Sequence, residues 1–142
     1  MRFWDSSAVV PLFLEQDATA HVDALLASDP AVAYWWSTPV ECWSAFGRSR
    51  REGVITPGEE LTARKRLDHA RATWLELLPS DPLRSRAGEL LRFHPLRAAD
   101  ALQLAAGLSW AGEPAAADFV TLDERLASVA HAQGFKVLPE RF

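Results

Sequence analysis

The chain has little cysteine, little lysine, no excess of positive charge and no long apolar run, and each shortage excludes something. Its one cysteine, Cys42, cannot close an internal disulfide and offers no thiolate cluster for zinc or iron–sulfur chemistry. A reducing cytoplasm is therefore the expected compartment. No apolar run approaches the roughly 18 residues of a membrane span. The opening Met1-Arg2-Phe3-Trp4-Asp5 also lacks the long uncharged core of a secretion signal, so a soluble protein without membrane association is expected. The formal net charge of -4 argues against a surface coated in positive charge for nucleic acid, although a local basic face can sit under an acidic average. The cations are nearly all arginine, which suits planar recognition of phosphate or carboxylate and follows equally from GC-rich coding. His21, His69, His94 and His131 share no metal-ligand spacing and have no nucleophile partner, so they read as surface or cap residues.

What is present fits one domain over residues 1–142, long enough at 49% hydrophobic content to bury a real core. The N-terminal apolar residues read as a strand that delivers Asp5 to a strand-to-helix turn. Helices are expected over 8–14 and 17–27, and a buried strand over 31–36. Thr38-Pro39-Val40-Glu41 has the marks of a helix start, with Thr38 as cap, Pro39 at the first helical position and Glu41 closing a capping box. That helix should carry Val40, Trp43 and Phe46 inward and stop at Gly53. Thr56-Pro57-Gly58-Glu59 starts another by the same logic, with Leu67, Ala70, Trp74 and Leu78 inward as far as about Pro79; residues 74–78 can be read instead as a short strand.

A helix opening at Asp81-Pro82 should bury Leu83, Ala87, Leu90 and Leu91 and end at His94-Pro95. Residues 96–107 read as a helix apolar nearly all round and hence buried, with one carboxylate, Asp100, near its start. Residues 119–122 form a strand ending at Asp123, 124–133 a helix stopped by Gly134, and 136–138 an edge strand. Alternating strands and helices imply an α/β fold, a three-layer α/β/α sandwich on a mostly parallel sheet.

Asp5, Glu41, Asp100 and Asp123 each have an ordinary structural use: Asp5 and Asp123 as helix caps, Glu41 in its box, Asp100 at a helix dipole. As a set they weigh differently. Two end predicted strands and two lie in first turns of helices, so a parallel sheet can bring all four to the crevice at its carboxyl edge. Clustered carboxylates repel, and a hard divalent cation such as Mg²⁺ is the usual remedy. Such a site can activate water against a phosphodiester. Asp118 competes with Asp123 but precedes the strand, at the wrong end of the sheet. Ser7 and Thr121 stand where a hydroxyl could touch a metal or serve a turn. Arg97 is expected to pair with an acid in preference to a phosphate, and Arg48, Arg50 and Arg51 to form a solvated helix end. Cys42 beside Glu41 reads as a packing residue.

Together, the strand into Asp5-Ser6-Ser7-Ala8, the Thr38-Pro39-Val40-Glu41 start, Leu96-Arg97-Ala98-Ala99-Asp100-Ala101-Leu102-Gln103-Leu104-Ala105 and Phe119-Val120-Thr121-Leu122-Asp123 closely resemble the PIN-domain ribonucleases of the VapC toxin type. The resemblance spans essentially the whole chain in the right order. It implies a PIN-like domain and an endoribonuclease dependent on Mg²⁺ or Mn²⁺, with Asp5, Glu41, Asp100 and Asp123 at the matching acidic positions. It also implies an RNA substrate, a cognate antitoxin and a toxin homodimer. Receiver-type phosphoacceptors and haloacid-dehalogenase-like phosphatases fit worse, since Lys136 precedes the last strand and Ser7 stands where a second Asp is needed. The stronger rival is a catalytically inactive PIN-like module that binds RNA or protein, against which the intact acid quartet argues.

Overall fold

The computed structural model describes residues 1–140. Its centre is β1 (Arg2–Trp4), flanked by β2 (Val32–Trp35) and β4 (Asp118–Val120), with β3 (Leu75–Leu77) and β5 (Lys136–Leu138) as the edges. The order is β3-β2-β1-β4-β5 and every pairing is parallel. A parallel sheet is covered on both faces, so its strands are apolar on both sides. Phe3 and Trp4 are accordingly both fully buried and, by the two-residue period of a strand, enter opposite cores.

One core gathers Phe3, Ala33, Trp35 and Phe119 under α5 (Asp81–Phe93), α6 (Ala98–Ala111) and α7 (Glu124–Ala132). Phe3 stacks on Phe119 at 5.1 Å between ring centroids, and Phe135 lies 5.1 Å from Phe119. The other core joins Trp4, Val32, Tyr34 and Val120 to α1 (Ser6–Phe13), α2 (Thr19–Ser28), α3 (Thr38–Arg51) and α4 (Pro57–Arg71). Helix α6 is buried nearly all round, as its composition requires, and lies close to β4 because Gly107 has no side chain: a Cβ there would come within 2.9 Å of the Phe119 ring.

The chain builds β1, β2 and β3 in one direction and then returns to add β4 and β5 on the other side of β1. The order therefore reverses between β1 and β4, and the carboxyl edge beside that reversal is where a parallel α/β sheet opens a crevice. The backbone N–H of Asp5 donates to the Val120 carbonyl at 3.0 Å, tying the two strand ends together at that point.

Several sequence expectations need correction. The helix expected to reach Pro79 ends at Arg71, and Leu75–Leu77 is the strand of the alternative reading, paired with β2 through Ala33, Tyr34 and Trp35. Leu78, just past that edge strand, is exposed. Val40 faces solvent as well, because the buried stripe of α3 runs through Pro39, Cys42 and Phe46 at three- and four-residue spacing and Val40 falls off it. Trp36 lies beyond β2 and is 53% exposed, and Leu91 is exposed beside its buried neighbour Leu90. Strand β4 stops at Val120, one hydrogen-bonded turn before Asp123, and α6 runs four residues past Gly107.

Candidate active site

Asp5 leaves β1 in extended conformation at the head of α1, but its side chain makes no cap bond. The carboxylate is 2% exposed and turned instead toward the crevice floor, where Ser7 Oγ donates to Oδ1 at 2.7 Å. Ser7 Oγ in turn accepts from the Leu122 backbone N–H at 2.9 Å and lies 3.2 Å from Thr121 Oγ1. Thr121 Oγ1 accepts from the Asp123 N–H at 3.1 Å. The two hydroxyls expected as secondary candidates therefore link the β1 end to the β4 end and orient Asp5. Asp123 does cap α7, its Oδ1 accepting from the Leu126 N–H at 2.8 Å, which leaves Oδ2 for other work.

The capping box expected at Thr38 and Glu41 does not form. Helix α3 already includes Thr38, its N-cap is Ser37, and no side chain caps it. Both side chains are committed across the molecule: Gln103 Nε2 donates to Thr38 Oγ1 at 3.0 Å and to Glu41 Oε2 at 2.5 Å. Asp100 stands in the first turn of α6 with Arg97 beside it. Arg97 Nε is 3.4 Å from Asp100 Oδ2 and its Nη2 is 3.8 Å from Asp123 Oδ2, so the expected arginine–acid pairing holds and one guanidinium serves two acids.

Electrostatics joins the four acids into one system. Burial, the largest cause, pushes Asp5 up to about 7, helped by the charges of Glu41 and Asp123 and opposed by hydrogen bonds from Ser7 and Thr121. Glu41 is likewise held above the usual carboxylate range, first by burial, with Asp100 adding repulsion and bonds from Ser6 and Gln103 pulling the other way. Asp5 thus feels Glu41 and Asp123, Glu41 feels Asp100, and Arg97 bridges Asp100 to Asp123. The acids form a closed circuit at the carboxyl edge of the sheet. Asp118 is elsewhere, pairing with Arg2 at 3.1 Å. Of the helix-end arginines, Arg50 pairs with Glu60 on α4 at 2.8 Å. Cys42 is fully buried, and desolvation pushes its thiol far up, so it stays protonated and packs.

The donor set is all oxygen, the choice of a hard cation such as Mg²⁺ or Mn²⁺ over a soft one. Among the described residues no three His, Cys, Asp or Glu side chains are gathered tightly enough to form a finished metal cage. What the site has is a buried carboxyl whose charge is opposed by its surroundings, and such a carboxyl is relieved by added positive charge. Donor type and charge, and not a gathered ligand set, are what suit these residues to a divalent cation. A surface opening lined by Arg97, Asp123, Glu124 and Arg125 lies at the Asp123 side.

Three members of this network were not foreseen: Gln103, Thr38 as an acceptor, and Ser6. Gln103 had a signal, being with Asp100 one of the few polar residues on an otherwise apolar helix and lying three positions after it.

An α/β/α sandwich with acids at the carboxyl edge beside the strand-order reversal defines the class, a PIN-type domain. Among solved structures, VapC20 from Mycobacterium tuberculosis, described as a sarcin-ricin loop cleaving toxin, superposes with a TM-score of 0.69 at 18% identity over 96% of this chain and 97% of that one. A toxin-antitoxin complex from Klebsiella pneumoniae gives 0.65 at 16% identity, covering 91% and 92%. Ribonuclease VapC45 of Mycobacterium tuberculosis is 30% identical over 138 residues, 96% of this chain and 94% of that protein. No family model matches. The chain belongs to the VapC ribonuclease family.

Proposed function

We propose that the chain is the toxin of a toxin–antitoxin pair, an endoribonuclease that hydrolyses RNA phosphodiester bonds with Mg²⁺ or Mn²⁺. The observation that carries this reading is the closed circuit of Asp5, Glu41, Asp100 and Asp123, drawn from four separated points of the chain and coupled through burial, repulsion and Arg97. Asp5 and Asp100 would hold the cation most directly, with Glu41 and Asp123 completing the set. A divalent ion there supplies an activated water and neutralises charge on the phosphodiester. The residues around it do the rest. Ser7 and Thr121 keep Asp5 aimed at the crevice, and the Leu126 N–H holds one oxygen of Asp123 so that the other is presented. Arg97, three-quarters exposed, can turn from its acids to a phosphate oxygen entering the opening.

A cognate antitoxin as partner rests on family membership and on the likeness to toxin–antitoxin complexes. A homodimer is part of the same proposal. Half-exposed Trp36, beside a hollow lined by Pro79, Leu83 and Leu102, offers an apolar face for it. A cytoplasmic location accords with the lone cysteine, and among the described residues no helix is long and apolar enough to cross a membrane.

The test is cleavage of structured RNA by the purified chain without antitoxin. Mg²⁺ or Mn²⁺ should support cutting, and EDTA or Asp5→Asn should stop it. Cleavage that persists in both controls sinks the metal mechanism. RNA binding without any cleavage favours the inactive PIN-like module instead.

A further inference from the structure

Gln103 is 1% exposed in an apolar helix, a position where an amide is costly unless its groups are paired. Its Nε2 carries two bonds, to Thr38 Oγ1 and to Glu41 Oε2, each bridging more than sixty residues of sequence. Its Oε1 is buried with no hydrogen-bond partner among the described residues. A side chain kept only for packing would be cheaper as Met or Leu, since the unpaired acceptor costs stability. The amide therefore serves what its donor touches.

The spacing indicates what that is. Thr38 and Glu41 are three apart at the start of α3, and Asp100 and Gln103 are three apart at the start of α6, so each pair lies on one helix face. The faces meet with Gln103 against both α3 residues, which places Asp100, three positions before Gln103 on α6, along the same α3–α6 seam as Glu41. Two carboxylates on opposed helices repel. A neutral double donor beside them supplies attraction without adding charge.

We infer that Gln103 is a positioning residue: by donating to Thr38 and Glu41 it clamps the first turn of α3 to α6 and fixes where Glu41 stands relative to Asp100, so that both acids serve one divalent ion. The inference rests on the metal-dependent reading above.

The test is Mn²⁺ affinity of the purified chain without RNA, followed by calorimetry in four proteins: unaltered, Gln103→Met, Glu41→Gln and the double variant. Gln103→Met keeps length and flexibility but donates nothing. It should weaken Mn²⁺ binding at least about ten-fold, the loss typical when the partner that orients a metal ligand is removed. Its far-UV circular dichroism should match the unaltered chain. In the Glu41→Gln background the same change should cost nothing further, because Gln103 acts through Glu41. Unchanged affinity in Gln103→Met, or an equal loss with and without Glu41, overturns the positioning role. No Mn²⁺ binding by the unaltered chain overturns the metal reading and this inference with it. Should Gln103→Met not fold, Gln103→Asn keeps the amide but is one methylene too short to reach Glu41, and should show the same loss and the same dependence on Glu41.

Discussion

Helices α3 and α4 begin with the same four-residue signature and do opposite things with it. In Thr56-Pro57-Gly58-Glu59 the box closes: the Glu59 N–H donates to Thr56 Oγ1 at 3.1 Å and the Thr56 N–H to Glu59 Oε1 at 2.9 Å. In Thr38-Pro39-Val40-Glu41 it stays open, and both side chains bond to Gln103. The difference is location. Residues 56–59 are exposed at the start of α4 and bond to each other, whereas Thr38 is 1% exposed and meets Gln103 of α6. A local motif settles into its local bond only where nothing more distant competes. The α3 start gives up a cap worth about 1 kcal/mol and places a carboxylate in the crevice.

The contrast can be broken most strongly at the glutamates. Glu41→Gln should cut RNA cleavage by roughly 10³-fold while Glu59→Gln leaves it unchanged, compared under Mg²⁺ at equal protein. Equal rates in the two variants would mean that the open box has no catalytic meaning.

Asp5, an N-cap residue that likewise makes no cap bond, sharpens the comparison through pH. Its carboxyl sits at about 7 in the folded chain against an ordinary 3.8, so between those values the folded state holds a proton that the unfolded state has released. Metal-free stability from this group is full below about pH 4, falls as pH rises toward 7, and is lost above it. Asp5→Asn removes that dependence and should stabilise the metal-free protein at pH 8 by an amount on the order of 4 kcal/mol. Thermal melts at pH 5 and pH 8 in EDTA measure it, and a less stable variant at pH 8 would argue against a crowded acid site.

On the capping side, Thr56→Ala should cost about 1 kcal/mol in urea unfolding with no change in RNA cleavage. The smallest effect belongs to Val40, inside the α3 signature but off its buried stripe. Val40→Ser should move monomer stability by less than about 0.5 kcal/mol in the same urea titration.

Much of the fold was legible because burial writes itself into short-range pattern. The all-round apolar run of α6, the buried aromatic run of β2 and the strand leading into Asp5 left little choice of element or layer. Residues 71–79 were harder, since Trp74 and Leu78 mimic a helical stripe. Strand β3 exists because β2 offers it an edge, and Trp74 packs against Tyr34 and Phe13 outside any helix. The acids were visible as residues at strand ends and helix starts. Their partners were not, because Ser7 with Thr121 and Gln103 with Glu41 meet across 114 and 62 positions.

By itself the sequence determined the order of strands and helices outside residues 72–79, the mostly parallel sheet and the edge at which Asp5, Glu41, Asp100 and Asp123 would emerge, since these follow from periodicity and from the geometry of strand–helix alternation. Only the tertiary structure decided that Thr38 and Glu41 forgo their capping box, that Arg97 spans two acids and that Gln103 stands between α3 and α6. Those outcomes depend on which donor lies within about 3 Å of which acceptor once the chain is packed, and spacing along the chain carries no record of that.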